Sequence, residues 1–275
     1  MESLFEPPVE NGTTVKILQI TDTHLFGSPS GTLLGINTYD SFLAVLNAIE
    51  QQSIDYDLVV ATGDLAQDHS HTAYQYFAEG IKKLSAPCVW LPGNHDFQPA
   101  MVDALAKAEI IPAKEVLLGD NWYLILLDSQ VMGSPLGELT DYQLEWLDRC
   151  LEKHADRHAL ILLHHHPVDS GCNWLDQHRL RNSHMLDDVL RQHPKAKTLI
   201  CGHIHQELDL DWNGRRLLTT PSTCVQFKPH CTNFTLDSLS PGWRYLELCS
   251  DGSVKTTVCR LNSDEFLPDM ASDGY

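Results

Sequence analysis

Five short clusters of polar residues along this sequence carry the kinds of side chain that bind metal ions in proteins. Their donors are aspartate and asparagine oxygens and imidazole nitrogens, without a thiolate. This donor set suits zinc, iron or manganese. The clusters are Asp-Thr-His at 22–24, Gly-Asp at 63–64, Gly-Asn-His-Asp at 93–96, His-His-His-Pro at 164–167 and Gly-His-Ile-His at 202–205.

Each cluster has an ordinary interpretation when it is taken alone. An Asp-x-His or Gly-Asp sequence is usually a solvated turn, and Gly-Asn-His-Asp is usually a loop with an Asx turn. His203 and His205 form a better pair, because alternate side chains of an extended segment point the same way. A pair of histidines is nevertheless more often incidental than metal-binding. The joint occurrence of all five clusters is what favours a shared site.

Short apolar runs precede all five clusters and predict buried strands. They are brief and rich in branched residues, as strands covered on both faces are. Further strand-like runs follow after residue 205, with turn signals and without a clear helix. The predicted strands are 15–20, 58–61, 88–91, 122–127, 159–163, 198–201, 215–220, 243–249 and 254–260.

Segments of helical periodicity lie between the earlier strands. One of them begins near Thr140 and Gln143, which have the spacing of a capping box. Alternating strands and helices imply a layered α/β fold with the helices outside the sheet. Another helix has an apolar face made of Phe42, Val45, Leu46 and Ile49.

The carboxyl ends of strands form the edge of an α/β sheet at which ligands bind. Strands that leave the sheet side by side would bring the five clusters together. They contain enough donors for two metal ions, which in dinuclear hydrolases lie about 3.5–4 Å apart. Asp64 is the candidate for a carboxylate that bridges them, because Gly63 allows a close approach of the backbone.

The chain is expected to form a single domain over residues 1–275. No linker-like stretch separates the later strands from the earlier ones, so residues 206–262 are expected to complete the second sheet or to cap the site. Residues 263–275 are acidic and contain proline and glycine. They are expected to form a C-terminal tail.

The amino-acid composition limits which classes of partner the protein is expected to bind. Lys and Arg number 19 against 37 Asp and Glu, which gives a net charge of −18. Such a surface repels nucleic acid and anionic lipid, whereas bound cations would reverse the sign locally. No apolar window is long enough for a membrane span and no signal peptide is evident, so a cytoplasmic location is expected. Eight cysteines without a Cys-x-x-Cys pair indicate buried reduced thiols.

The five clusters, in this order, resemble those of the calcineurin-like metallophosphoesterase superfamily over residues 22–205. The stretches ILQITDTHLF, LPGNHDFQPAM, GHIHQELDLDWNGRRLL and PSTCVQFKPH further resemble the bacterial class III 3′,5′-cyclic-AMP phosphodiesterases over nearly the whole chain. The resemblance implies a four-layer αββα sandwich, in which two mixed β-sheets pack face to face and helices flank them.

The resemblance also implies roles for individual residues. His95 would contact the phosphoryl group and protonate or stabilise the departing ribose oxygen, while Asp96 would orient it, which makes these two the catalytic residues. His165 is the alternative to His164 within the triple histidine. One metal ion would be held by Asp22, His24, Asp64 and His205, and the other by Asp64, Asn94, His164 and His203. The residues expected to bind substrate are His24, Asp64, Asn94, His95 and His205.

The implied reaction is hydrolysis of 3′,5′-cyclic AMP to 5′-AMP by attack of a metal-bound hydroxide on phosphorus. One alternative is another small phosphodiester, such as a 2′,3′-cyclic nucleotide, a glycerophosphodiester or a nucleoside diphosphate derivative. The other is a non-catalytic scaffold of the same fold. Two metal ions per chain are expected, iron(II) first, with manganese(II) or zinc(II) as alternatives. The expected partner is a cyclic nucleotide rather than nucleic acid or membrane. Adenine recognition is assigned to residues 222–230. The chain is expected to be a monomer or homodimer.

Overall fold

The computed structural model describes residues 4–9, 12–110, 112–272 and 274. The helices of these residues are α1 (Thr38–Gln52), α2 (His71–Ile81), α3 (Gln98–Lys107), α4 (Asp141–Lys153), α5 (Asn173–Asp176) and α6 (Ser183–Leu190). The strands are β1 (Leu4–Phe5), β2 (Val15–Ile20), β3 (Thr32–Leu33), β4 (Ile36–Asn37), β5 (Leu58–Thr62), β6 (Cys88–Leu91), β7 (Glu115–Leu118), β8 (Trp122–Leu126), β9 (His158–Leu162), β10 (Ala196–Cys201), β11 (Leu208–Trp212), β12 (Arg215–Thr219), β13 (Gly242–Leu248) and β14 (Val254–Arg260).

Two mixed β-sheets form the centre of the fold. The seven-stranded sheet has the order β1-β7-β8-β9-β10-β12-β11, and the five-stranded sheet has the order β14-β13-β2-β5-β6. Strands β8, β9, β10 and β12 run parallel in the first sheet, as β2, β5 and β6 do in the second. Antiparallel strands lie toward the edges, where β11 pairs with β12 and β13 pairs with β14.

The central strands are apolar on both faces because both faces are covered. In β2, Ile17 packs between the two sheets, whereas Leu18 and Ile20 point to the helices on the other side. The same alternation occurs in β5, where Val60 faces the seven-stranded sheet and Val59 faces the helices. This double burial explains why these strands are continuous apolar runs in the sequence.

Helices cover the outer face of each sheet and complete four layers. The predicted apolar face of α1, which includes Phe42 and Val45, is buried against the five-stranded sheet. Helix α4 buries Leu144 and Leu147 against the seven-stranded sheet. The predicted αββα sandwich is therefore confirmed. Among the described residues, no helix is both long enough and apolar enough to cross a bilayer.

The start of α4 forms only one of the two hydrogen bonds of the predicted capping box. The hydroxyl of Thr140 accepts a hydrogen bond from the N–H of Gln143 at 3.2 Å, as expected for an N-cap. The side chain of Gln143 instead bonds the backbone N–H and carbonyl of Asp128, at 3.1 and 2.8 Å. It thus fixes the loop after β8 rather than the helix terminus.

The predicted strands are all present, and their ends differ from the predicted ends by two residues at most. The short strands β1, β3, β4 and β7 and the edge strand β11 were not predicted. In β11, exposed Asp209 and Asp211 alternate with more buried residues, which is the pattern of a strand at the edge of a sheet.

The segment after residue 205 contributes to both sheets. Strands β11 and β12 extend the seven-stranded sheet, and β13 and β14 extend the five-stranded sheet. Within the predicted tail, Phe266 is buried, and the N–H of Asp269 donates to the carbonyl of Leu34 at 2.7 Å. Residues 273 and 275 lie outside the described residues. The division into one domain with a C-terminal tail stays a prediction.

The core between the two sheets is expected to dominate stability. Leu124 in β8 is fully buried there. Leu124→Ala should lower the free energy of unfolding by about 2–5 kcal/mol, because the cavity can collapse only in part. Urea denaturation followed by circular dichroism measures this loss. The control Leu239→Ala, at a side chain that is 46% exposed, should change it by less than about 0.5 kcal/mol. Equal effects of the two substitutions would contradict the expected dominance of this core.

Candidate metal centre

The seven side chains predicted as metal ligands converge where the two sheets meet at one edge. Four come from the five-stranded sheet, at the ends of β2, β5 and β6, and three come from the seven-stranded sheet, at the ends of β9 and β10. Parallel strands end at the same edge, and the packing of the sheets brings the two edges together. The residues are Asp22, His24, Asp64, Asn94, His164, His203 and His205; all are buried except Asn94, which is half-buried.

One group of donors surrounds the end of β2. The Nε2 atoms of His24 and His205 lie 3.1 Å apart. The Nε2 atom of His205 also lies 3.4 Å from Oδ1 of Asp22. The donor atoms of these three residues all lie within 4.8 Å of one another, which is close enough for one metal ion to contact all three.

A second group lies on the side of the seven-stranded sheet. The Nε2 atom of His164 is 3.1 Å from Oδ1 of Asn94. The rings of His164 and His203 lie 5.0 Å apart, edge to face. His165 and His203 also lie close, with ring centroids 4.7 Å apart, and Nδ1 of His165 bonds the hydroxyl of Ser129 at 2.8 Å.

The carboxylate of Asp64 lies between the two groups. Its Oδ2 atom is 3.9 Å from Nε2 of His24 and 3.1 Å from Nε2 of His164. Its Oδ1 atom accepts the N–H of His95 at 2.8 Å. A single oxygen of Asp64 therefore faces donors from both sheets, which is the arrangement that a bridging carboxylate requires.

The backbone at this edge adopts conformations that most residues avoid. Positive φ angles are uncommon outside glycine, because the Cβ atom crowds the backbone. Such strain is typical of functional sites, where surrounding contacts must hold it in place. The ligand candidates with positive φ are Asp22 (53°), His24 (46°), Asp64 (53°), His203 (71°) and His205 (49°).

Three imidazoles are oriented by hydrogen bonds from Nδ1, which leave Nε2 facing the centre. Nδ1 of His164 donates to the carbonyl of Thr62 at 2.8 Å, and Nδ1 of His205 donates to the carbonyl of Val225 at 3.0 Å. The third bond joins Nδ1 of His24 to Oε1 of Gln67 at 2.7 Å. Such bonds fix the tautomer and the ring direction of metal-binding histidines.

The electrostatics of the cluster favour positive charge. Burial opposes ionisation of Asp22, yet His205 keeps the pKa of Asp22 below its usual value. Burial likewise opposes ionisation of Asp64, but His164 and His95 hold the pKa of Asp64 well below its usual value. Both buried carboxylates are therefore charged at neutral pH. Among the described residues their ion-pair partners are histidines, without Lys or Arg.

The histidines differ in the charge that their surroundings favour. Burial lowers the pKa of His24 to about 3, so its imidazole is neutral and able to bind a metal. Burial also disfavours the charged form of His164, but the carboxylate of Asp64 outweighs it and raises the pKa of His164 to about 9. Within the part of the chain that the structure describes, Nε2 of His203 is buried without a hydrogen-bond partner. A cluster with two carboxylates, inward-facing nitrogens and an unpaired nitrogen fits metal cations.

His95 and Asp96, the predicted catalytic pair, occupy different environments. The half-buried ring of His95 lies 5.1 Å from that of His24 and lines a cavity beside the cluster. The carboxylate of Asp96 is buried and accepts backbone N–H groups of Leu65, Ala66 and Gly93 at 3.0, 3.1 and 2.9 Å. Burial and the nearby Asp64 raise the pKa of Asp96 to about 7. These bonds join the loops after β5 and β6.

Gln130 also holds the loop of Asn94 and His95, although sequence reasoning did not single it out. Its Nε2 donates to the carbonyl of Gly93 at 2.6 Å and to the carbonyl of Asp96 at 2.5 Å. A glutamine that bonds backbone carbonyls 34 and 37 positions away has no local sequence pattern by which it could be recognised. The carbonyls of Thr62 and Val225 were missed for the same reason, whereas Gln67 stands close enough to Asp64 to have been considered.

The comparisons with known proteins agree with this geometry. A family model described as Calcineurin-like phosphoesterase matches residues 15–207. The chain belongs to the calcineurin-like phosphoesterase family.

Among its relatives is the 3′,5′-cyclic adenosine monophosphate phosphodiesterase CpdA of Escherichia coli strain K12, which is 62% identical over 275 residues, with 100% of both chains covered. The protein of the same name from Haemophilus influenzae is 49% identical over 261 residues and 95% of each chain. A dimetal phosphatase from Danio rerio superposes with a TM-score of 0.63 at 16% identity, covering 90% of this chain and 99% of that one, which shows the shared fold.

Gly93 lets the backbone pass close to Asp64. A Cβ atom at Gly93 would lie 2.1 Å from Oδ1 of Asp64 and 2.5 Å from its backbone nitrogen. Gly93→Ala should therefore displace Asp64 and reduce the metal content of the purified protein at least tenfold, measured by mass spectrometry of the ions. The control Gly214→Ala meets no atom within 4 Å but has a φ of +80°. It should cost about 1 kcal/mol of stability and leave metal content unchanged. Retention of full metal content by Gly93→Ala would contradict the placement of Asp64 at the centre.

Proposed function

We propose that this protein hydrolyses 3′,5′-cyclic AMP to 5′-AMP at a centre of two metal ions. The observation that carries the proposal is the 62% identity, over the full length of both chains, to an enzyme named for that activity. The cluster of buried carboxylates and imidazoles supplies suitable ligands for the metal ions. Membership of the calcineurin-like phosphoesterase family agrees with a phosphoester substrate.

The proposed ligands of one metal are Asp22, His24, Asp64 and His205, and those of the other are Asp64, Asn94, His164 and His203. Bound metal ions would supply a nucleophile near neutral pH, by lowering the pKa of water, and would neutralise charge on the phosphate. We propose iron(II) first, with manganese(II) or zinc(II) as alternatives, because nitrogen and oxygen donors suit all three. His164 is favoured over His165 because its Nε2 faces both Asp64 and Asn94 at 3.1 Å.

His95 is the proposed catalytic acid. Its ring is half-buried, borders the cavity and is not needed as a ligand, so we propose that it contacts the phosphoryl group and gives a proton to the departing ribose oxygen. Asp96 would hold His95 in position through the loop, because the carboxylate of Asp96 accepts a hydrogen bond from the N–H of Gly93, which lies two residues before His95. The side chains proposed to contact the substrate are His24, Asp64, Asn94, His95 and His205.

The remaining parts of the proposal follow from charge and location. A net charge of −18 repels anions in bulk, so the metal ions would provide the local attraction for the phosphodiester. We propose a cytoplasmic enzyme, monomeric or homodimeric, without nucleic acid or membrane as a partner. Steady-state kinetics on 3′,5′-cyclic AMP, 2′,3′-cyclic AMP and a glycerophosphodiester test the substrate. Higher kcat/KM for either of the latter would overturn the assignment, and absence of all hydrolysis by the metal-loaded protein would favour a scaffold.

Removal of the shared carboxylate should abolish activity. Asp64→Ala is expected to lose both metal ions and to reduce hydrolysis of cyclic AMP to background, because Oδ2 of Asp64 faces the donors of both groups. Metal analysis and kinetics on one preparation check both effects. Asp188→Ala, at a carboxylate that is 71% exposed on α6, is the control and should behave as the wild type. An Asp64→Ala variant that keeps two metal ions would exclude the bridging role.

Removal of His95 should separate metal binding from turnover. His95→Ala is expected to keep its metal ions and to lose about 10²–10⁴-fold in kcat, which is the usual contribution of a general acid. The control His71→Ala changes a histidine that is 36% exposed and paired with Asp103 on the surface, so kcat should not change. Full turnover by His95→Ala with intact metal content would show that His95 is not the catalytic acid.

A further inference from the structure

A cavity of about 450 Å³ borders the metal centre, and its lining combines polar and apolar residues. Asn94, His95 and His203 line the side next to the centre. Trp174, Leu175 and Phe234 also line the cavity, and we call these three residues the apolar wall. A polar side suits a phosphoryl group, whereas an apolar wall with two aromatic rings suits a flat, weakly polar group.

Contacts within the fold hold the apolar wall in place. Trp174 belongs to α5 and Phe234 to the loop before β13, and their ring centroids lie 5.1 Å apart at an angle of 70°. Phe227 lies behind them, 4.9 Å from Trp174 and 5.7 Å from Phe234. Helix α5 and this loop are joined by a hydrogen bond from the N–H of Asn173 to the carbonyl of Cys231 at 3.1 Å.

The same ring cluster reaches the metal centre. The ring of Phe227 stacks on the imidazole of His205, with centroids 4.4 Å apart and an angle of 16°. Phe227 is buried, whereas Trp174 and Phe234 are half-buried and border the cavity. Phe227 thus supports both the wall and a proposed metal ligand. Adenine recognition by residues 222–230 stays a prediction.

We propose that the apolar wall is the subsite for the base of a nucleotide, with Trp174 and Phe234 as the residues that contact it. The proposal rests on the proposed function, because the metal centre is taken to hold the phosphoryl group. Aromatic side chains stack on any base, since every base has a π-face. A purine covers more of the wall than a pyrimidine does, so the wall selects purine nucleotides by contact area.

Binding of reaction products tests the subsite without relying on turnover. Calorimetry on the metal-loaded protein would compare 5′-AMP, 5′-CMP and ribose 5-phosphate, which share a phosphate and differ in the base. The wild type should bind 5′-AMP at least tenfold more tightly than ribose 5-phosphate, with 5′-CMP between them. Trp174→Ala and Phe234→Ala should each remove most of this difference and leave the Kd of ribose 5-phosphate within twofold. Trp174→Phe, which keeps a ring, should retain most of the difference.

The outcomes separate this proposal from the function on which it rests. Tyr142→Ala changes a side chain that is 62% exposed on α4 and should leave all three Kd values unchanged. Equal Kd values for 5′-AMP and ribose 5-phosphate in the wild type would overturn the subsite. The subsite would also be overturned if the alanine variants kept the wild-type ratio of these Kd values while thermal unfolding showed that the variants are folded. Hydrolysis of cyclic AMP is measured on the same preparations. Absence of this hydrolysis in the wild type would refute the proposed function. The ratio of the Kd values for 5′-AMP and ribose 5-phosphate would still decide whether the subsite exists.

Discussion

The site depends on one constraint, which is that the two sheets must hold a fixed position relative to each other. Asp64 belongs to the five-stranded sheet and His164 to the seven-stranded sheet, yet Oδ2 of Asp64 lies 3.1 Å from Nε2 of His164. A small shift of one sheet would separate every donor on one side from every donor on the other. Neither sheet carries enough ligands to form both groups by itself, so the site exists only where the sheets meet.

Apolar packing and a buried polar link both maintain this position. Leucine, isoleucine and valine side chains fill the layer between the sheets, at the density that makes protein interiors resist deformation. Next to the site, Gln19 of β2 donates to the carbonyl of Cys201 in β10 at 3.3 Å and accepts from the hydroxyl of Thr220 at 2.5 Å. Its Nε2 also donates to Thr62 at 2.9 Å, whose carbonyl orients His164. Buried polar groups satisfied in this way specify one arrangement, because any shift would leave them unpaired.

The fold alone does not decide the activity, since the same architecture occurs in a solved structure that is only 16% identical. Three kinds of observation therefore support a cyclic nucleotide as the substrate. The clustered carboxylates and imidazoles fit two cations, the full-length similarity indicates the phosphodiester, and the apolar wall provides a surface for a base. Each of them concerns a different part of the substrate.

The sequence by itself determined nine of the strands and the layered fold, because periodicity and residue type are local properties that each segment carries. The seven ligand candidates came from the five polar clusters together with their resemblance to a known family. The run 15–20 is a strand in the structure, and Asp22 follows it as predicted. The sequence could not identify Gln130, the carbonyls of Thr62 and Val225, or the pairing of Trp174 with Phe234. Those contacts join residues far apart in the chain, and their existence depends on how the loops pack once the sheets have met. Tertiary structure alone therefore decided which atom of each ligand candidate faces the centre and which surface lies beside it.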